Sequence, residues 1–158
     1  MESAPASTSP RARFGVRFAL LARRWRRALD ARLAEAGLSD ATWVPLVHLH
    51  ESGDGITQKE LAALVGIDGS SLVRLLDILC RQGLVERRVD AADARARLVH
   101  LTDAGRARVA EIRRELEKGE AEMLADLSDA DIAAMLRNFQ LIEQRLQALQ
   151  AQRAEQVT

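Results

Sequence analysis

Apolar side chains recur every three or four residues in the first part of the chain. From position 14 they make one stripe: Phe14, Phe18, Leu21, Trp25, Leu29 and Leu33. This spacing predicts an amphipathic helix, and Gly37 marks its end. Another face of that helix carries Arg13, Arg17, Arg24 and Arg27. Residues 1–12, rich in Ser, Pro and Ala, predict a disordered tail.

The next segment is apolar on most sides. It predicts a buried helix from about Asp40 to Glu51, with Ser39 as its N-cap. Pro45 falls inside this segment. Because proline lacks a backbone N–H, we expect it to bend the helix or loosen its first turns.

Two short helices follow, joined by a tight turn. Thr57 and Glu60 form a capping-box pattern before an apolar run, and Gly66 interrupts that run. Asp68 is placed to cap a second helix that reaches about Gln82 before Gly83. Small Ala62 permits close approach, and Leu72 and Leu76 are spaced to pack the second helix onto the first. The pattern predicts a helix-turn-helix.

The second helix then has one face directed outward, with Ser70, Arg74, Asp77, Ile78 and Arg81 at helical spacing. An arginine there can make a bidentate contact with a guanine edge. Ser70 and Ser71, near the helix N-terminus, can donate to phosphate or to bases. The alternative is an ordinary helical hairpin with a solvated outer face.

Two β-rich segments, Leu84–Val89 and Arg97–Leu101, follow directly and predict a hairpin beside the second helix. Its strands and tip carry Arg87, Arg88, Arg95 and Arg97. Arginines on such a wing can enter a narrow minor groove. The alternatives are a solvated basic hairpin, or ion pairs with Asp90 and Asp93. We expect one of those acids to hold the loop and the Arg95 side chain to be unpaired.

The chain closes with two further helices. Thr102 is expected to cap a long helix to about Leu127, and Ser128 with Asp131 begins the last one. The last helix carries apolar residues at alternating spacings of four and three: Met135, Phe139, Ile142, Leu146 and Leu149. This coiled-coil-like stripe requires another helix to cover it. A chain this small could hardly bury both terminal stripes, so the pattern favours a homodimer.

Composition adds bounds rather than a function. The 158 residues, 47% of them hydrophobic, fit one domain. The formal net charge is zero, and residues 56–101 carry seven basic and six acidic side chains, so charge alone does not indicate nucleic acid. The lone Cys80 fits a reducing compartment. No signal-like or membrane-spanning run is visible. The sequence therefore predicts a cytoplasmic protein that does not associate with membranes.

At this point the sequence resembles the MarR family of bacterial regulators, most closely its SlyA-type branch. The resemblance rests on LARRWRRALDARL, LSDATWVPLVHLH, LAALVGIDGSSLVRLLDILCRQGLVERR and DARARLVHLT. It implies a mainly α fold, a winged helix-turn-helix with a small β-hairpin wing and an interwoven helical dimerisation region. The tail would be residues 1–12, the DNA-binding region 53–102, and the dimerisation region 13–52 with 103–152. Two departures are Ala94, where the family wing reads Asp-Arg-Arg, and Pro45.

The function predicted from the residues and the resemblance is a sequence-specific transcription repressor, a homodimer on a pseudo-palindromic operator in double-stranded DNA. We expect seven side chains to contact the DNA: Ser70, Ser71, Arg74, Arg81, Arg88, Arg95 and Arg97. The resemblance implies that Ser70, Ser71 and Arg74 face the major groove and that Arg95 enters the minor groove. The alternative function is an architectural or anti-silencing DNA-binding dimer that senses no ligand.

The resemblance also implies release of the DNA by a small aromatic carboxylate or phenol. Residues able to pair with a carboxylate, cover a ring or bond a phenol lie on the first two helices: Arg17, Leu21, Trp25, Trp43, His48 and His50. The alternative is that Trp25, Trp43 and the histidines are core residues and that Arg17 pairs across the dimer. Cys80, without a second cysteine, favours an inert thiol over a redox sensor.

Nothing in the sequence assembles a catalytic, cofactor or metal site. No phosphate-binding glycine loop or nucleophile elbow is present. His48 and His50 are two residues apart, so on a helix they point to different faces and do not form a zinc pair. We therefore expect neither enzymatic activity nor a cofactor.

Overall fold

The computed structural model describes residues 9–38, 41–53 and 55–156. One compact unit extends to Glu120 and a second begins at Ala121. The elements, in chain order, are α1 (Pro10–Glu35), α2 (Trp43–Glu51), β1 (Ile56–Thr57), α3 (Gln58–Val65), α4 (Gly69–Arg81), β2 (Val85–Val89), β3 (Arg97–Leu101), α5 (Asp103–Met123) and α6 (Asp129–Gln156). None of the helices described here has an apolar stretch long enough to cross a membrane.

Helix α1 begins earlier than the apolar stripe predicts. The Ser9 hydroxyl accepts from the Ala12 amide at 3.3 Å, and Pro10 occupies the first helical position, where its missing N–H costs nothing. Residues 10–12, predicted as tail, are therefore helical. Leu29 and Leu33 are buried, whereas Phe14 and Phe18, stacked at 5.8 Å between ring centroids, are exposed. Only the C-terminal part of the stripe contributes to the core of the first unit.

Helix α2 is shorter than predicted. It begins at Trp43, and both Ser39 and Asp40, the predicted cap and first residue, lie outside the described residues. Pro45 is the third residue of this helix, where the backbone nitrogen has no intrahelical acceptor. Pro45 therefore removes no intrahelical hydrogen bond, and of the two expected effects it is a loosened start that fits the late beginning of α2. The predicted burial is confirmed: Trp43, Val44, Pro45, Leu46 and Leu49 are all buried.

Helices α3 and α4 form the predicted helix-turn-helix. The Glu60 amide donates to the Thr57 hydroxyl at 3.1 Å, while the Glu60 carboxylate accepts from the Thr57 amide at 2.8 Å. The bonds that the carboxylate accepts from the Thr57 amide and, at 2.9 Å, from the Thr57 hydroxyl lower the pKa of Glu60. Gly66 ends α3 with a φ of 77°, in the left-handed region that glycine occupies without strain. Leu72, Leu76 and Leu79 of α4 are fully buried. Apolar packing therefore fixes the inner face of α4.

Within the described part of the chain the sheet has three strands rather than the two predicted. Strands β2 and β3 form the expected antiparallel hairpin, and β1 adds to the other side of β3 in the order β1-β3-β2. Ile56 pairs with Val99 and Thr57 with Leu98. A strand of two residues has no periodicity that a sequence can display, which explains why β1 was missed.

The start of α5 is joined closely to the loop between α4 and β2. The Thr102 amide donates to the Leu84 carbonyl at 3.1 Å, and the Thr102 hydroxyl donates to the Gly83 carbonyl at 2.6 Å. The same hydroxyl accepts from the Gly105 amide at 3.0 Å, as an N-cap does. A Cβ atom on Gly105 would lie 2.0 Å from the Leu84 carbonyl oxygen. The close approach therefore depends on glycine at this position.

Helix α6 forms the second unit together with the end of α5. Ser128 and Asp131 cap it reciprocally, as predicted. None of its residues is buried. The predicted coiled-coil stripe is exposed throughout: Met135, Phe139, Ile142, Leu146 and Leu149.

Candidate nucleic-acid interface

The outer face of α4 carries the two arginines that the sequence pointed to. Arg74 and Arg81 are exposed, and within the described residues no acidic side chain pairs with either. Ile78 is half-buried, so it contributes more to packing than to the outer surface. Two arginines project from a rigid helix that three buried leucines hold in place.

The two serines at the start of α4 are engaged within the protein. The Ser70 hydroxyl donates to Asp68 Oδ1 at 2.5 Å, and the Ser71 hydroxyl donates to Asp68 Oδ2 at 2.6 Å. The Ser71 amide adds a bond of 2.9 Å. The bonds from Ser70 and Ser71 hold the pKa of Asp68 well below its usual range. Because a hydroxyl has one hydrogen to donate, either serine must leave Asp68 before it can donate to DNA.

The loop between β2 and β3, which forms the tip of the wing, is held by its acids. Asp90 accepts from the Ala92 amide and Asp93 from the Arg95 amide, each at 2.9 Å. These bonds go to the backbone rather than to arginine side chains, so the alternative of ion pairs with Asp90 and Asp93 is wrong. The Arg95 side chain is exposed, with no partner among the residues described. Arg95 is thus presented at the tip as expected.

The other wing arginines are less free. Arg88 is exposed and paired with Glu86 on its own strand. Arg97 donates to the Ala94 carbonyl at 3.1 Å, so its guanidinium stabilises the turn. The turn at Ala94, the departure from the family pattern, is therefore held by Arg97 at the start of β3.

Contrary to what the sequence suggested, Arg87 is not directed toward solvent like the other arginines of the wing. Its side chain is directed from β2 toward the helices and donates to Gln58 Oε1 and to Asp77 Oδ1, both at 2.8 Å. The alternation of a strand contained this signal, because Arg87 shares a face with buried Val85 rather than with exposed Arg88. The function of Asp77 on the outer face of α4 is likewise to bind Arg87.

The six residues predicted to bind a ligand are in different environments. Arg17, Leu21 and His50 are exposed, Trp25 and His48 are half-buried, and Trp43 is 7% exposed. Burial and, secondarily, nearby Arg26 lower the pKa of His48.

Trp43 is held by two residues that the sequence analysis missed. Its indole N–H donates to Asp30 Oδ1 at 2.8 Å, and the Arg26 guanidinium lies 4.6 Å from its ring centroid. Arg26 also binds Asp30 at 3.2 Å. The spacing of these two residues, four apart on a helix, was the available signal. The packing of Trp43 supports the alternative that it is a core residue.

A small recess lies where α2, the end of α4 and α5 meet. Its cavity volume is about 10 Å³, room for roughly one water molecule. Its lining is Leu38, Thr42, Trp43, Leu46, Gln82, Leu84, Arg108 and Ile112. Of the six predicted ligand-binding residues, Trp43 alone is in this lining. Among the described residues, no cluster of three or more His, Cys, Asp or Glu could hold a metal ion. Cys80 is half-buried and unbonded.

A helix-turn-helix followed by an antiparallel wing, with arginines projecting from both, defines a winged helix-turn-helix protein, a class that binds DNA. The model of the MarR family matches residues 36–96. The crystal structure of the transcriptional regulator PA3341 is 37% identical and superposes with a TM-score of 0.76, over 85% of this chain and 98% of that one. The chain therefore belongs to the MarR family of DNA-binding transcription regulators.

Two further structures extend the comparison. CouR from Rhodococcus jostii RHA1, bound to p-coumaroyl-CoA, is 25% identical with a TM-score of 0.69, over 82% of this chain and 90% of its own. SlyA is 23% identical with a TM-score of 0.68, over 82% of this chain and 93% of its own. The likeness to SlyA shows a shared fold, and assignment to its branch stays a prediction. PA3341 and SlyA are transcriptional regulators rather than enzymes.

Proposed function

We propose that this protein is a sequence-specific repressor that binds a pseudo-palindromic operator as a homodimer. The observation that carries the proposal is that exposed arginines project from both α4 and the wing: Arg74 and Arg81 from α4, and Arg95 from the wing. Arg74 reads base edges in the major groove, and Arg95 enters the minor groove. Ser70, Ser71, Arg81, Arg88 and Arg97 supply the surrounding phosphate and base contacts.

The exposed apolar stripes support the homodimer. Phe14, Phe18 and Leu21 on α1, and Phe139, Ile142 and Leu146 on α6, are between 40% and 62% exposed in the single chain. Monomeric proteins rarely leave such continuous apolar stripes in water. A second copy covers them, with regions 13–52 and 103–152 forming the dimer and 53–102 the DNA-binding part. Sedimentation equilibrium tests this: Leu146→Asp should dissociate the dimer, whereas Leu64→Asp, an exposed site on α3, should not.

A selection from random duplexes at physiological salt tests the DNA specificity. We expect an enriched inverted repeat that binds at least about 10³ times more tightly than random sequence. Arg74→Ala should lower this ratio, and Arg95→Ala should weaken binding to all duplexes more evenly. Arg114→Ala, which removes an exposed arginine on α5, is the matched control and should alter neither. A flat binding profile would instead favour the architectural, ligand-independent dimer.

We also propose that a small aromatic carboxylate or phenol releases the DNA. CouR, which binds an aromatic acyl-CoA, supports this class of effector. In this chain the candidate contacts are Arg17, Leu21, Trp25, Trp43, His48 and His50. Hydroxybenzoates should raise the melting temperature of the free protein and lower its DNA affinity, because a ligand shifts an equilibrium only toward the state that it binds better. An unchanged melting temperature across the panel would contradict the proposal.

A further inference from the structure

One guanidinium joins the wing to both helices of the helix-turn-helix. From β2, Arg87 Nε donates to Gln58 Oε1 at the start of α3, at 2.8 Å. Its Nη2 donates to Asp77 Oδ1 on α4 at 2.8 Å and to the Val73 carbonyl at 3.3 Å. The guanidinium is planar and presents its donors in a rigid fork, so three bonds to two helices fix both distance and direction. A lysine ammonium cannot reproduce this arrangement.

These bonds are made at the part of α4 that presents Arg74. Val73 is its neighbour in sequence, and Asp77 is one helical turn further along. On the wing side, β2 leads directly to the tip that carries Arg95, since Val89 pairs with Arg97 across the hairpin. Arg87 therefore connects the residue proposed for the major groove with the residue proposed for the minor groove.

We propose that Arg87 is a positioning residue that sets the geometry between α4, the recognition helix, and the wing, and thereby the DNA sequence specificity. This inference rests on the proposed function. A recognition site requires its contacts to be held within about 0.5 Å of the productive geometry. An arginine on a helix and another at the tip of a hairpin keep such a relation only if contacts fix the hairpin against the helix. Arg87 is the tie.

The Arg87–Asp77 ion pair is partly exposed, which distinguishes a positioning role from a contribution to folding stability. The Arg87 side chain is 26% exposed and that of Asp77 is 51% exposed. Ion pairs so close to water contribute little to folding stability, because water screens the attraction. Loss of Arg87 should therefore affect DNA discrimination much more than thermal stability.

The test compares Arg87→Gln with Arg88→Gln, which removes the same charge from the next residue of β2. Affinities for the selected operator and for a random duplex are measured across a range of salt concentrations. Arg87→Gln should weaken operator binding about tenfold, the loss that one mismatched base pair causes. Its affinity for the random duplex and the slope against salt should hardly change. Arg88→Gln should lower both affinities alike.

Two variants of Asp77 complete the experiment. Asp77→Asn should reproduce the lost discrimination, and the double variant with Arg87→Gln should be no worse than either single variant, because both remove one interaction. Arg87→Lys should rescue little.

Three results would overturn the inference. The first is a slope of DNA affinity against salt that falls by about one for Arg87→Gln, because this marks a lost phosphate contact. The second is unchanged discrimination between operator and random duplex. The third is a large fall in melting temperature with a parallel loss of both affinities. If the wild-type protein binds the operator and random duplexes equally well, the proposed function itself is overturned. That measurement on the wild type comes before any variant is made.

Discussion

Replacing Gly105 by alanine tests the contact between the start of α5 and the residues that follow the recognition helix. The new Cβ atom would lie 2.0 Å from the Leu84 carbonyl oxygen. Ordinary carbon–oxygen contacts are no closer than about 3.3 Å. The first turn of α5 must therefore move by more than about 1 Å, and the obstructing atom is backbone, which cannot rotate aside as a side chain would.

The cost follows from what that movement disrupts. Overpacking of a core contact destabilises by about 1–3 kcal/mol. The shift also loosens the Thr102 amide bond to Leu84 and the Thr102 hydroxyl bond to Gly83. Each such bond contributes about 1 kcal/mol. We expect Gly105→Ala to lower the free energy of unfolding by about 3–5 kcal/mol, which corresponds to a fall in melting temperature of roughly 10 °C.

The assay is denaturant unfolding followed by circular dichroism, at one fixed protomer concentration, since association would otherwise shift the midpoint. Gly15→Ala is the matched control. Gly15 is inside α1, and a Cβ there would meet nothing within 4 Å. Alanine should stabilise that helix by about 0.5–1 kcal/mol. If Gly105→Ala unfolds at the same denaturant concentration as the wild type or Gly15→Ala, the close approach of α5 to Leu84 is refuted.

Three further predictions concern the helix-turn-helix. Leu72→Ala, at a fully buried position, should cost about 2–5 kcal/mol in denaturant unfolding, whereas exposed Leu64→Ala should change the midpoint little. Thr57→Ala removes the cap of α3 and should cost about 1 kcal/mol in the same assay; a change near zero would mean that the capping box is not formed. The bonds to Asp68 lower its pKa in the folded chain, so their contribution to stability is present above the unfolded pKa of about 3.9 and is lost as pH falls through the folded pKa. Asp68→Asn should therefore lose less stability than the wild type between about pH 6 and pH 2, and identical pH profiles would contradict this.

The parts of the fold that could be predicted are those fixed by neighbours in sequence. Thr57 with Glu60, and Ser128 with Asp131, satisfy the first amides of their own helices, so the residue types and their spacing were sufficient. The burial of Leu72 and Leu76 followed from helical periodicity. The wing strands were found within one residue of their observed bounds.

The parts that could not be predicted depend on distant residues. Strand β1 exists because Ile56 reaches Val99, more than forty positions later in the chain. The direction of the Arg87 side chain depends on acceptors on two helices, whereas the sequence placed this residue only on a strand of the wing. Similarly, Asp30 became a partner of Trp43 only through the packing of α1 against α2. Periodicity indicates which face of an element is buried, but it does not identify the residue opposite.

The position of Trp43 also determines which part of the protein intrinsic fluorescence reports on. The chain has two tryptophans and no tyrosine. Both tryptophans lie on α1 and α2, while the helix-turn-helix and the wing contain neither. Intrinsic tryptophan fluorescence therefore arises outside α3, α4 and the hairpin, from Trp25 and from the Trp43 indole, which stacks on Arg26 and donates to Asp30. In a Trp25→Phe variant, any change of emission on adding DNA or an aromatic acid would come from the surroundings of this single indole.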